Sequence, residues 1–192
     1  MKYVSVIIIL IFIISSNVKA DDIKEYQLEG ISIGDSLLSY FDEKKIKNSK
    51  RYDNKNTHWI SDKMFQLRIP KVGPYTEMLF ALKKNDKNYI IYGISGLEKM
   101  EYNISDCYPK LKQITNEFKN QFPNTKLEKN KRPHRGDKSK KSMITSSRFI
   151  FMSGDFVVAS CYDWSKKMKY WDNFRISLVT REFDDWIVSN KG

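Results

Sequence analysis

Three hydrophobic patterns follow one another along this chain. The first is a block: behind Lys2, Val4 to Ile14 is almost unbroken apolar sequence, and Val18-Lys19-Ala20 follows with small or modest side chains. That is the layout of a cleavable secretory signal over residues 1–20. The apolar run is 11 residues long, whereas a bilayer span takes roughly 20. No Cys follows the signal, so a lipid anchor is not expected, and the working protein is placed in a secreted or periplasmic compartment with no transmembrane anchor after cleavage.

The second pattern is alternation. Phe65, Leu67 and Ile69 alternate with Gln66 and Arg68, which predicts a strand from Met64 to Ile69 that Pro70, Gly73 and Pro74 end. Strand signals begin earlier, near His58-Trp59-Ile60. Glu77–Leu82 and Tyr89–Ile94 are two further strands about a polar turn at Asn85-Asp86. Ser146–Met152 and Phe156–Tyr162 flank a Ser153-Gly154 turn, and Tyr170–Val179 follows with Phe174, Ile176 and Leu178 on one face.

The third pattern is helical. Cys107, Leu111, Ile114 and Phe118 recur at i, i+4, i+7 and i+11, a single stripe on a helix that Ser105 or Asp106 caps and Pro123 stops. Asp35 caps a short helix carrying Leu37, Leu38 and Phe41, and Asp42 caps a second short turn through about Asn48. A closing helix begins near Arg181, with Phe183, Trp186 and Ile187 as its apolar patch.

Hairpin-length links between consecutive strands require antiparallel pairing, because parallel neighbours need a crossover of a dozen residues or more. The expected class is therefore α+β: an antiparallel meander sheet, or two, with helices packed on one face, in a single domain over 21–192. The helix-then-meander order occurs twice, over 31–95 and 104–190. It reads as two degenerate units without residue-level identity between them.

Composition sharpens this reading. The chain is 41 % hydrophobic and 14 % aromatic, which excludes a disordered polymer. Its net charge of +11 becomes +9 once Lys2 and Lys19 leave with the signal, which contains no acid. Part of that excess is what a Lys-, Asn- and Ile-rich, AT-biased genome yields. The rest is concentrated in residues 126–141, where eight Lys or Arg face only Glu128 and Asp137.

Pro133, Gly136 and the absence of periodicity mark 126–141 as a long mobile loop, the first place a protease should cut. Lys129, Lys131, Arg132, Arg135, Lys138, Lys140 and Lys141 are its anion-binding candidates, for phosphates, anionic lipid head groups or acidic glycans. Nucleic acid is an unlikely partner for an exported protein whose cations are not interleaved with aromatics. The alternative is a solvated basic loop with no ligand. Trp59, Trp164 and Trp171 are candidates for stacking on a sugar, and equally for core or strand-pair positions.

The two cysteines, Cys107 and Cys161, form an even pair that reads as one structural disulfide in an oxidising compartment. A redox or metal-binding pair would need closer spacing or a neighbouring His. Closing this loop is worth roughly 4 kcal/mol on the chain-entropy model. No HExxH, Gly-rich phosphate loop, EF-hand loop or paired-Cys zinc spacing occurs, so no metal or cofactor is expected. Asn103-Ile104-Ser105 is a glycosylation sequon only in a eukaryotic source.

Two resemblances bear on function. Gly30-Ile31-Ser32-Ile33-Gly34, the short capped helix, Trp59 and the meander ending Ile90-Ile91-Tyr92-Gly93-Ile94 resemble the helix-plus-meander domains of small exported envelope proteins. These are of the outer-membrane assembly lipoprotein and beta-lactamase-inhibitor type; the resemblance covers about a third of the chain, without the lipoprotein Cys. It implies a protein-binding module rather than an enzyme. Gly34-Asp35-Ser36-Leu37 spells the signature of the GDSL esterases, which would make Ser36 a nucleophile. That family also supplies a Gly-Asn-Asp block and a late Asp-x-x-His, neither of which is present. The favoured expectation is a non-enzymatic module for an envelope protein or an anionic surface polymer; the alternative is a secreted serine esterase using Ser36.

Overall fold

Strand pairing organises most of the chain. The computed structural model describes residues 21–53, 63–100 and 104–189. The signal segment 1–20, the strand start at His58-Trp59-Ile60 and the Asn103 sequon lie outside the described residues. β1 (Met64–Val72), β2 (Tyr75–Lys83) and β3 (Ile91–Lys99) form one meander. β4 (Lys126–Pro133), β5 (Met143–Ile150), β6 (Phe156–Asp163) and β7 (Asn173–Val179) form the second. Every pairing is antiparallel, and β3 pairs with β7 to fuse the two meanders into one seven-stranded sheet of order β1-β2-β3-β7-β6-β5-β4. The α+β class with a meander sheet is what forms.

Side-chain alternation divides the sheet into two faces. On the first, Leu67, Phe80, Ile94, Cys161 and Phe174 meet Ile46 of α1 (Glu43–Asp53) and Leu111 and Phe118 of α2 (Cys107–Gln121) in the main core. The N-terminal stretch adds Ile23, Leu28, Ile31 and Leu37 to it. The expectation of helices on one face only is corrected: α3 (Arg181–Ser189) takes the other face, where its Phe183 and Trp186 join Met64, Ala81, Phe156 and Val179. Gly93 permits this approach: a Cβ there would lie 2.7 Å from Phe183 Cδ1. Beyond α3 the second face carries no helix among the described residues.

The disulfide between Cys107 and Cys161 is present, with 5.9 Å between the Cα atoms. It ties the first turn of α2 to β6, and both residues are buried. The helix stripe read from i, i+4 spacing therefore does face the sheet.

Three local expectations are corrected. Pro70 does not end β1 but sits within it, opposite Glu77. It is tolerated because β1 is an edge strand, whose outward side needs no N–H donor. The segment 126–141 is not one long loop: its first half is β4, paired with β5 from Lys126↔Ile150 to Pro133↔Met143, and the rest is the turn into β5. An edge strand needs little apolar sequence, and charge protects it from pairing with another chain, so β4 lacks the usual alternation signal. Finally, Asp35 does not cap the short helix. A single 3-10 turn, Leu37–Ser39, is capped by Ser36, while the Asp35 carboxylate accepts from Ser32 N–H and Tyr40 O–H.

Candidate functional site

Three lysines without ion-pair partners among the described residues gather where β4 passes α2. Because β4 alternates, Leu127 turns into the core against Phe149, and Lys129 and Lys131 follow it on the same face, opposite Ser147 and Thr145. Arg132 is one residue out of phase and belongs to the other face. α2 faces these lysines with Tyr108, Lys112 and Asn116, spaced i, i+4 and i+8 along one polar stripe.

Between them runs an open groove of about 460 Å³, lined also by Leu111, Thr115, Thr145 and Ser147. Its floor is knitted by hydroxyls. Thr115 Oγ1 lies 2.6 Å from the Leu111 carbonyl, which it reaches only as donor, and 2.9 Å from Ser147 Oγ, which must then donate to it. At one end the Tyr108 phenol has its pKa raised, first by burial and then by the charges of Asp163 and Asp172. The Asp163 carboxyl is itself raised, by burial and by Asp172, with Lys131 opposing. Tyr108 therefore stays neutral at physiological pH and remains a hydrogen-bond donor.

None of Lys112, Lys129 and Lys131 has an ion-pair partner among the described residues. Lys126, at the start of the strand, is neutralised by Glu128 at 2.7 Å. Three ammonium groups, an amide and several hydroxyls lining one groove are a donor set for oxyanions.

The remaining candidates sit elsewhere. Arg135, Lys138, Lys140 and Lys141 are exposed on the turn from β4 to β5. That turn is built on Asp137, which is 4 % exposed. Its carboxylate accepts from the N–H and hydroxyl groups of both Ser139 and Ser142, and from the Ser165 hydroxyl. These hydrogen bonds, Ser139 and Ser142 first, hold its pKa well below the usual carboxylate range. Asp137 thus anchors a turn of like charges, where the sequence reading had counted it only as a counter-charge. Its spacing to Ser139 and Ser142 is the signal of an Asx-type turn. Lys112, Tyr108 and Asn116 were missed altogether, although the polar i, i+4, i+8 stripe was available.

Ser36, the alternative nucleophile, is a structural cap. Its Oγ donates to the Asn88 carbonyl at 2.6 Å and accepts from Leu38 N–H at 3.3 Å. Its one proton is committed to a backbone oxygen rather than to a base. His134 lies against the Trp164 ring, 4.4 Å between centroids, with Nδ1 accepting from Gly136 N–H. His58 lies outside the described residues.

Fold and site together define an α+β sheet protein with a cationic groove between its second helix and an edge strand. No protein-family model, curated protein or solved structure matches the chain. Among the described residues no helix is long and apolar enough to cross a membrane.

Proposed function

We propose that this chain is an exported, non-enzymatic binding module that holds an anionic polymer in the groove between α2 and β4. The observation that carries this reading is the set of ammonium groups of Lys112, Lys129 and Lys131, drawn from two elements around one groove and without ion-pair partners among the described residues. Like charges gathered with one nearby carboxylate, Asp163 beside Lys131, still repel one another. A bound polyanion relieves that repulsion and gains three charge-assisted contacts. Export is supported by the apolar block at Val4–Ile14 and by a disulfide that persists in oxidising compartments.

Dextran sulfate and phosphatidylglycerol vesicles separate a soluble polymer from lipid head groups as the source of anions. The protein of residues 21–192 is expected to bind dextran sulfate in preference to the vesicles, with affinity falling as salt rises. The triple variant K112A/K129A/K131A should lose about tenfold or more relative to the charge-matched control K24A/K44A/K87A, whose lysines lie elsewhere. Equal loss in both variants would reduce the effect to net charge and overturn the groove.

A further inference from the structure

The face of the sheet opposite the groove carries a second arrangement. Registers align Arg132, Ile144, Tyr162, Asn173 and Lys99 in one row across five strands. Four interstrand steps make that row about 19 Å long. In the neighbouring row Arg175 lies opposite Ser160, and its guanidinium stacks 4.3 Å from the Tyr162 ring centroid.

Aromatic rings extend the row at the edge of the sheet. Tyr162 and Trp164 stack with centroids 5.8 Å apart, and Tyr170 meets Trp164 edge-on at 4.8 Å. Trp171 lies under Lys99 Nζ at 5.5 Å. Tyr170 and Trp171 are 54 % and 47 % exposed, unusual for rings of this size in a protein with a filled core. Arg132, Arg175 and Lys99 have no ion-pair partner among the described residues. Asn173 is 5 % exposed and donates to the Trp171 carbonyl, yet among the described residues its buried Oδ1 has no partner, nor does Arg175 Nε.

We infer that this row is a binding platform for an acidic oligosaccharide, a chain of uronate or sulfated sugars. Ring faces accept the apolar C–H face of a pyranose, while Tyr and Trp keep a polar edge for its hydroxyls. Planar guanidinium groups pair carboxylates and sulfates through two parallel hydrogen bonds. Ile144 and Asn173, 6 % and 5 % exposed, form the buried floor of the row, so an extended chain of sugars would meet Arg132, Tyr162 and Lys99 and the exposed rings beside them. Stacking and cations would also suit single-stranded nucleic acid; the glycan is favoured by the export reading, on which this choice rests. The platform does not depend on the α2–β4 groove, since alternation along β4 sends Lys129 and Lys131 to one face and Arg132 to the other.

Calorimetric titration of the protein of residues 21–192 with trigalacturonate tests this. The controls are its neutral trimethyl ester, inorganic tripolyphosphate and a short oligothymidylate. Trigalacturonate should bind best. W171A and Y170A should each weaken it about tenfold, and R175K should erase most of the preference for acid over ester. K112A/K129A/K131A should leave trigalacturonate affinity unchanged, which separates failure of the platform from failure of the groove. Both exposed rings can be truncated without opening the core, and an unchanged Tm in each variant verifies that. Equal binding of ester and acid, insensitivity to W171A and Y170A, or tighter binding of oligothymidylate would each overturn the platform.

Discussion

The hydroxyl of Ser36 donates to the carbonyl of Asn88 at 2.6 Å, joining positions 52 residues apart in the chain. The same oxygen caps the Leu37–Ser39 turn. A residue whose motif suggests a nucleophile is thus a tie between the N-terminal segment and the start of β3, where Ser36 also bridges Ile90. Ser36→Ala is expected to lower stability by about 1 kcal/mol, as loss of a cap does. Thermal denaturation reads that change. Aryl-ester turnover should be at background in both proteins; turnover present in the parent and lost in the variant would restore the esterase.

Reduction of Cys107–Cys161 should lower stability by about 4 kcal/mol, because the bond removes the entropy of a loop closed over 54 positions. Guanidinium denaturation with and without reductant measures the difference. Peptide mapping by mass spectrometry under non-reducing conditions should recover the two cysteines in one linked species, and two free thiols in protein isolated without reductant would contradict it.

Asp137 holds together a turn that carries Arg135, Lys138, Lys140 and Lys141, all sites for trypsin. With the carboxylate engaged by three serines, that turn should resist trypsin under native conditions. Asp137→Asn loses the charge-assisted bonds, and cleavage should move to this turn first. The pH dependence has a definite sign. A carboxyl held below its ordinary range stabilises the fold fully above that range, about pH 4 to 5. The contribution is then lost as pH falls through the depressed value. Tryptic digestion of the variant and acid unfolding of both proteins test the two halves of this claim.

Tyr26 packs edge-on against Phe118 and Phe122, at 5.6 Å and 5.3 Å between centroids. Burial, and then the charges of Glu117 and Glu29, push its pKa up to about 12. Its neutral form therefore stabilises the fold fully below the ordinary tyrosine value near 10. That contribution disappears as pH rises through about 12. An ultraviolet phenolate titration should show late ionisation, and Tyr26→Phe should remove one phenol from a late phase that Tyr40 and Tyr75 share.

Legibility followed burial. Alternation marked β1 and β7 in the sequence, while polar turns at Asn85-Asp86 and Ser153-Gly154 bounded β2, β3, β5 and β6. α2 buries a stripe, so its i, i+4 spacing and its Cys107 contact with the sheet could be read directly. β4 escaped because an edge strand with one half-buried apolar residue, Leu127, has almost no apolar periodicity to show. The basic turn was partly legible, since Asp137 stands at Asx-turn spacing to Ser139 and Ser142, and only its bond to Ser165, 28 positions away, needed the fold. Of the groove, Lys129 and Lys131 were legible as charge, but the wall formed by Tyr108, Lys112 and Asn116 depends on how α2 lies over β5.

The sequence by itself determined the α+β class, antiparallel pairing, the Cys107–Cys161 pairing and the excess of positive charge, because each follows from local periodicity, short links or simple counting. Only the tertiary structure decided which cations share a surface. That outcome rests on the phase of β4, since a strand's period of two sends Lys129 and Lys131 to the helix side and Arg132 to the aromatic side. Strand phase is set by pairing with β5, and no residue within β4 specifies it strongly. The block of charge that looked like one feature along the chain is therefore divided between two faces of the protein.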